Sequence, residues 1–134
     1  MKEFTLDPDM LSMGGVFYPT GHAVVLFPEA DHAKQVADGL LQAGFTDDQV
    51  QMLKPATILR EISRTEEGSD APLPSVGTEG ATVRMYEEMA RQGHHGLLVA
   101  VDSSDDDERL MQVVRRFPFA VAKKYRMLVI QDLD

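Results

Sequence analysis

The feature that most constrains this fold is a sequence unit that occurs twice, 74 residues apart. Each copy has a five-residue apolar run, at 23–27 and at 97–101, followed by apolar residues at helical spacing. The shift of 74 also aligns Asp31 with Asp105. A short apolar run between turn residues is typical of a buried strand, and a period near 3.6 is typical of an amphipathic helix. The sequence therefore predicts two strand–helix–strand halves.

Turn and cap residues set the expected limits of these elements. Asp31 suits the N-cap of the first helix, and Gly44 suits its left-handed C-terminal residue. Pro118 is expected to close the last helix. The segments 119–125 and 127–133 are then extended, as one bent strand or as a hairpin. Six apolar residues are expected in the core, namely Val25, Val36, Leu40, Val99, Leu110 and Val114.

The order of the elements predicts an α+β fold. We expect a ferredoxin-like split β-α-β sandwich at 21–134 with a helical insert at 55–93, preceded by an N-terminal arm at 1–20. The polar stretch 65–77 within the insert is expected to be mobile. Helices would cover only one face of the sheet, so the insert, the arm or a second subunit must cover the other. A homodimer is therefore expected, and the arm is expected to pack on the surface or to reach a partner chain.

Composition excludes several classes of function. The 134 residues suffice for one domain with a real core. The absence of cysteine excludes disulfides, zinc–thiolate sites and cysteine nucleophiles. A net charge of -9 disfavours binding to nucleic acid or to an anionic membrane. No apolar run approaches the roughly 20 residues of a membrane helix, so a cytoplasmic protein is expected.

Histidines and acidic residues are the first candidates for a site. His94 and His95 are adjacent, and neighbouring side chains on an extended chain point to opposite faces, so a polar turn is favoured over a shared metal. The acidic run at 105–108 lies where a helix begins, and its carboxylates complement the helix dipole. Its spacing is not that of a calcium loop, so helix capping is favoured there. No catalytic residue, metal site or cofactor site is predicted.

A basic stretch at 109–126 contains no acidic residue. Arg115 and Arg116 lie on the polar side of the last predicted helix, and Arg126 lies further along the stretch. A local positive surface can hold a phosphate or an acidic partner. Pairing with the chain's own acidic residues, within or between subunits, is the simpler interpretation.

Several motifs resemble the bacterial heat-induced general stress protein domain family. They are Ala43-Gly44-Phe45 after the first helix, the sequence Met85 to Met89 in a helix ending at Gly93, and the strand at 97–102. The polar insert departs from the glycine-rich apolar insert of many members. The resemblance covers roughly 21–125, and it implies a ferredoxin-like domain with a stress-linked, non-enzymatic function.

The sequence leaves three kinds of function open. The first is a non-enzymatic, dimeric, stress-linked or regulatory domain that acts through protein contacts. The second is a small-ligand sensor, and the third is an enzyme of the dimeric α+β barrel type, with a pocket lined by residues such as Tyr86, His95 and Arg126. Possible ligand or partner contacts are Tyr86, His94, His95, Arg115, Arg116 and Arg126.

Overall fold

Six strands form one mixed sheet, with helices packed on both of its faces. The structure, a computed structural model, describes residues 1–67 and 77–134. In space the strands lie in the order β1-β3-β4-β2-β5-β6. The outer strand β1 runs parallel to β3, and every other neighbouring pair is antiparallel. The strands are β1 (Lys2–Glu3), β2 (His22–Phe27), β3 (Val50–Leu53), β4 (His95–Ala100), β5 (Val121–Tyr125) and β6 (Ile130–Asp132).

Four helices connect these strands. The second of them contains one turn of π-helix at Ile58–Ile62, between α-helical segments at Pro55–Thr57 and Ser63–Glu67. Short 3-10 turns lie at Pro8–Met10 and Asp47–Gln49. The helices are α1 (Ala30–Gln42), α2 (Pro55–Glu67 in three parts), α3 (Gly77–Arg91) and α4 (Ser104–Val114).

The repeated unit is visible in the structure. The two apolar runs form β2 and β4, which lie side by side and antiparallel, with Val25 opposite Leu97. Helix α4 begins at Ser104, the residue that the 74-residue shift assigns to Ala30 at the start of α1. Gly44 has φ of +106°, as predicted for the residue that ends α1. The last two strands form a hairpin, which was one of the two predicted alternatives.

The start of α1 differs from the sequence prediction. Asp31 is not an N-cap, because α1 begins at Ala30 and its N-cap is Glu29, whose side chain caps no backbone amide. Asp31 lies in the first helical turn instead, where a carboxylate still complements the helix dipole. In the second copy the cap is Ser103, whose Oγ accepts a hydrogen bond from the Asp106 amide at 3.2 Å.

The helical face of the sheet is the one that α1 and α4 cover. The six predicted core residues are all fully buried, and they pack here in one cluster. Phe45, directly after Gly44, folds back on the helix, and its amide donates to the Leu40 carbonyl oxygen at 3.0 Å. The apolar spacing in the sequence therefore places this face correctly.

The opposite face, which we call the arm-and-insert face, is covered by the chain itself. Phe4, Met10, Val16 and Phe17 of the N-terminal arm are buried there beside residues of α2 and α3. The arm thus packs on its own chain, which was one of the two predicted alternatives. The homodimer stays a prediction, but it loses the argument that a second subunit must cover this face. Most of the predicted mobile stretch, at 68–76, lies outside the described residues.

Candidate binding groove

A groove of about 410 Å³ lies on the arm-and-insert side, where three separate parts of the chain meet. We call it the arm–turn groove. The N-terminal arm, the first turn of α3 and the turn between β5 and β6 each supply part of its wall. Its lining residues are Asp9, Leu11, Ser12, Met13, Tyr18, Thr20, Glu79, Met127 and Leu128.

The arm is held in a tight turn that presents Met13 to solvent. The Gly15 amide donates to the Ser12 carbonyl oxygen at 2.9 Å, and the Ser12 amide donates to the Val16 carbonyl oxygen at 2.8 Å. Gly15 has φ of +82°, a conformation that glycine adopts without steric cost. Val16 and Phe17 are fully buried directly after this turn. Burial of these two side chains fixes the arm while Met13 at the tip stays fully exposed.

The turn between β5 and β6 presents three more apolar side chains. Its ends are joined by the Arg126 amide, which donates to the Val129 carbonyl oxygen at 2.9 Å. Met127, Leu128 and Val129 are 81%, 92% and 55% exposed. A single exposed apolar residue is ordinary, but a continuous group of them commonly marks a contact surface.

Tyr18 connects the arm to the turn between β5 and β6. Its hydroxyl donates to the Arg126 carbonyl oxygen at 2.5 Å, and its ring packs edge-on against Tyr125 with centroids 4.9 Å apart. The Tyr125 hydroxyl in turn lies 2.8 Å from that of Tyr86. All three tyrosines of the chain therefore form one line from the groove into the core.

Burial changes the acidity of these tyrosines. It raises the pKa of Tyr18, and the negative charge of Glu79 raises that pKa further. The pKa values of Tyr86 and Tyr125 are also raised, mainly because both hydroxyls are buried. All three hydroxyls are therefore neutral at physiological pH, and they act as hydrogen-bonding groups rather than as bases.

Glu79 supplies a buried acceptor at the groove. It lies in the first turn of α3, where the helix dipole favours a carboxylate. Its Oε2 atom is buried and has no hydrogen-bonding partner among the described residues. Buried polar atoms are nearly always hydrogen-bonded, so an unpaired carboxylate oxygen beside a groove points to an external donor.

The six residues predicted as contacts lie elsewhere, and none of them lines the arm–turn groove. Tyr86 is buried in the core behind Tyr125. His94 precedes β4 and has a buried Nδ1 without a partner among the described residues, whereas the Nδ1 of His95 lies 3.1 Å from the Gly93 carbonyl oxygen. Arg115 donates to the Leu133 carbonyl oxygen, Arg116 is exposed after α4, and Arg126 donates from Nε to Gln131.

Part of the basic stretch pairs with acidic residues of the same chain, as the simpler interpretation predicts. Lys124 contacts Asp107 at 2.9 Å, Lys123 pairs with Asp132, and Arg109 pairs with Asp106. The pKa of Asp106 is lowered, first by a hydrogen bond from the Asp102 amide and then by Arg109. These contacts neutralise Arg109, Lys123 and Lys124 within the chain.

Other features of the described residues offer less chemistry. A second groove of about 370 Å³ lies between the arm and α2, but Arg60 on its wall is already paired with Glu61. Across 1–67 and 77–134, no three histidine or acidic side chains come together as a set of metal ligands. Over the same ranges, the helices are too short or too polar to cross a bilayer.

Sequence reasoning missed the arm–turn groove because its residues come from segments without periodicity. The arm at 1–20 shows neither helical nor strand spacing, and Glu79 lies ahead of the Met85 to Met89 motif that marks its helix in the sequence. One usable signal was present. Met127, Leu128 and Val129 are consecutive apolar residues next to a predicted strand end, and they exceed what a solvent-exposed turn needs.

Comparison with known proteins adds no relative. The chain matches no protein-family model, and no curated protein or solved structure is significantly similar to it. The resemblance to general stress proteins is therefore carried by the chain's own motifs alone, and it stays a hypothesis.

Proposed function

We propose that this chain is a non-enzymatic binding domain and that the arm–turn groove holds a small ligand. The observation that carries the proposal is a concave site with an exposed apolar rim and a buried carboxylate oxygen at Glu79 that has no partner in the described part of the chain. Its volume falls in the range of about 300–1,000 Å³ typical of small-molecule sites. A few fixed polar groups among apolar side chains are the usual composition of such sites.

The groups in the groove support binding rather than catalysis. The Tyr18 hydroxyl is committed to a backbone carbonyl, and its raised pKa makes it a weak acid at neutral pH. The described residues that line the groove include two carboxylates, Asp9 and Glu79, but no histidine or lysine beside them to complete an acid–base or nucleophile–base pair. A regulatory role, with the ligand as the signal, follows from binding without turnover.

The topology supports the same class of protein. The strands β3, β4, β2 and β5 are consecutive in the sheet and mutually antiparallel, with α1 and α4 on one face. We propose that these elements are a ferredoxin-like unit and that β1 and β6 extend it at its edges. Paired β-α-β units of this kind often serve as binding modules, and the general stress resemblance would place this one in a stress response.

NMR of isotope-labelled methionine methyl groups tests the proposed site directly. We expect members of a small-molecule fragment set to shift the signals of Met13 and Met127, which flank the groove, and to leave buried Met111 unchanged. Replacing Leu128 by Asp should lower the affinity of these fragments by about tenfold, because their apolar contact is lost. Gln112→Asp, on the exposed side of α4, is the control. If no fragment shifts Met13 and Met127, the proposal fails.

Self-association is a second candidate function for the same rim. The apolar surface exposed by Met13 and by Met127 to Val129 is larger than a small ligand would cover. Two copies of the chain could therefore bury these turns against each other. Light scattering would then give about twice 14.9 kDa. Leu128→Asp would return the mass to that of a monomer. A monomer at high concentration would leave ligand binding as the only role of the rim.

A further inference from the structure

The polar groups of the arm–turn groove favour one sign of charge. Two carboxylates, Asp9 and Glu79, contribute to its wall, and the described lining residues include no lysine, arginine or histidine. The chain as a whole is acidic, but three of its acids in β6 and α4 have cationic partners, since Asp132 pairs with Lys123, Asp107 with Lys124 and Asp106 with Arg109. The groove therefore holds negative charge without an internal counterion among its described lining residues.

The hydrogen-bonding state of the groove also favours a donor. Glu79 Oε2 is buried and accepts no hydrogen bond from the described residues. The Tyr18 hydroxyl already donates its proton to the Arg126 carbonyl oxygen, so its remaining capacity is as an acceptor. A ligand that donates several hydrogen bonds and carries positive charge would satisfy both residues. An ammonium group has three donors and no acceptor.

The rest of the wall suits an apolar body. Leu11 lines the groove, and Met13, Met127 and Leu128 line it with most of their side-chain surface exposed to water. Methionine side chains are flexible and polarisable, so they adapt to ligands of irregular shape. An apolar body laid against them would remove this surface from water, which is favourable at roughly 25 cal/mol for each Å² buried.

We infer that the ligand of the arm–turn groove is a small organic ammonium ion with an apolar body. Its ammonium group binds Glu79 and Tyr18, with Asp9 adding to the negative potential, and its apolar body contacts Met13, Met127 and Leu128. This inference rests on the proposed function, because it names the class of ligand for the same site. It excludes anionic ligands, which Asp9 and Glu79 would repel.

An isosteric series of probes separates charge from apolar contact. Phenylpropylamine, phenylpropanol and phenylpropionate share one apolar body and differ in the charge of the end group. Titration of each into the protein, followed through the methyl signals of Met13 and Met127, gives three affinities for the groove. We expect the amine to bind at least about tenfold more tightly than the alcohol, because a charge-assisted hydrogen bond forms, and the carboxylate to bind weakest.

A matched pair of variants assigns the preference to one residue. Glu79→Gln keeps the shape of the side chain and removes its charge, so the amine should lose its advantage over the alcohol. Glu88→Gln, at an exposed position of the same helix, makes the same charge change and should keep the advantage. The comparison of probes in the unmodified protein stands even where Glu79→Gln folds poorly.

The outcomes distinguish the two proposals. Equal affinity of amine and alcohol would overturn the ammonium inference and leave the ligand-binding function intact. An amine preference that survives in a folded Glu79→Gln protein would also overturn it, since the cation would then lie elsewhere. If none of the three probes shifts Met13 and Met127 and the fragment set also fails to do so, both the inference and the proposed function fall.

Discussion

Lys124 and Tyr125 are consecutive residues of β5, and each buries a polar group on a different face of the sheet. On the helical face, Lys124 Nζ lies 2.9 and 3.2 Å from the two carboxylate oxygens of Asp107. On the arm-and-insert face, the Tyr125 hydroxyl lies 2.8 Å from the Tyr86 hydroxyl. One strand thus joins α4 through a charged pair and α3 through a neutral pair.

The packing around the charged pair is regular, whereas the packing around the neutral pair is irregular. The helical face is built by two regular helices that carry mainly aliphatic side chains. The other face combines an irregular arm, a π-helical turn and several aromatic rings, including the edge-on pair of Phe17 and Tyr125. On the helical face, α1 and α4 pack directly against the sheet. On the irregular side, the arm, α3 and the turn between β5 and β6 meet less closely, and the arm–turn groove lies between them. The proposed binding site therefore lies on the irregular side of the sheet, opposite the regularly packed helical face.

Removal of one partner of the charged pair should have the largest effect. Asp107→Ala would leave the Lys124 ammonium buried without a counterion, and we expect the free energy of unfolding to fall by about 3–5 kcal/mol. Urea denaturation followed by circular dichroism measures this loss.

The double variant Asp107→Leu with Lys124→Met is the control for that prediction. It replaces both charges by apolar groups of similar size, so most of the lost stability should return. If Asp107→Ala alone costs less than about 1 kcal/mol, the level of an exposed ion pair, then water reaches the pair and the helical face is less well sealed than described.

Truncation of an aliphatic core residue gives the next effect. Leu40 of α1 is fully buried on the helical face, and Leu40→Ala should cost about 2–5 kcal/mol through lost burial and a residual cavity. Leu128→Ala makes the same chemical change at the exposed rim and should cost less than about 0.5 kcal/mol. Similar losses at the two sites would show that Leu128 is packed in solution and that the rim is not open.

The same two residues show what the sequence can and cannot reveal. Leu40 belongs to a stripe with a helical period, and that period alone places it in the core. The repeat also predicts β2, β4, α1 and α4, because both copies obey one local rule. Asp31 was assigned to the wrong position because several residues near a helix start can serve as a cap, and the pattern does not choose among them.

The arm–turn groove depends on contacts that no local pattern records. Tyr18 and Arg126 are joined by a hydrogen bond across 108 residues of chain. The arm is anchored on α2 by the Phe17 amide, which donates to Thr65 Oγ1 at 2.9 Å. Such pairings arise from the packing of irregular segments, so composition and periodicity do not predict them. The possible contacts named from the sequence, a tyrosine together with histidines and arginines, do not line the groove.

Removal of one hydroxyl of the neutral pair should have a smaller effect than removal of Asp107. Tyr86→Phe would leave the Tyr125 hydroxyl buried without its partner, and we expect a loss of about 1–3 kcal/mol in the free energy of unfolding. The double variant Tyr86→Phe with Tyr125→Phe should recover part of this loss, since no unpaired hydroxyl then remains. A double variant less stable than the single one would show that the Tyr125 hydroxyl finds another partner.

Alkaline pH should lower the free energy of unfolding through the buried tyrosines of the arm-and-insert face, and this is the smallest effect that we predict. The pKa values of Tyr86 and Tyr125 are raised above 10.0, so both stay protonated in the folded state while the unfolded chain ionises. The unfolded state then binds fewer protons, and the free energy of unfolding must fall as the pH rises above 10. Near pH 10.5 the loss is about 1 kcal/mol for each tyrosine. The double phenylalanine variant removes both groups and keeps every lysine, so its smaller decline between pH 8 and 10.5 isolates the tyrosine contribution. Equal declines in the two proteins would mean that these hydroxyls ionise as readily in the folded state as in the unfolded chain, and the arm-and-insert face would then be open to water around β5.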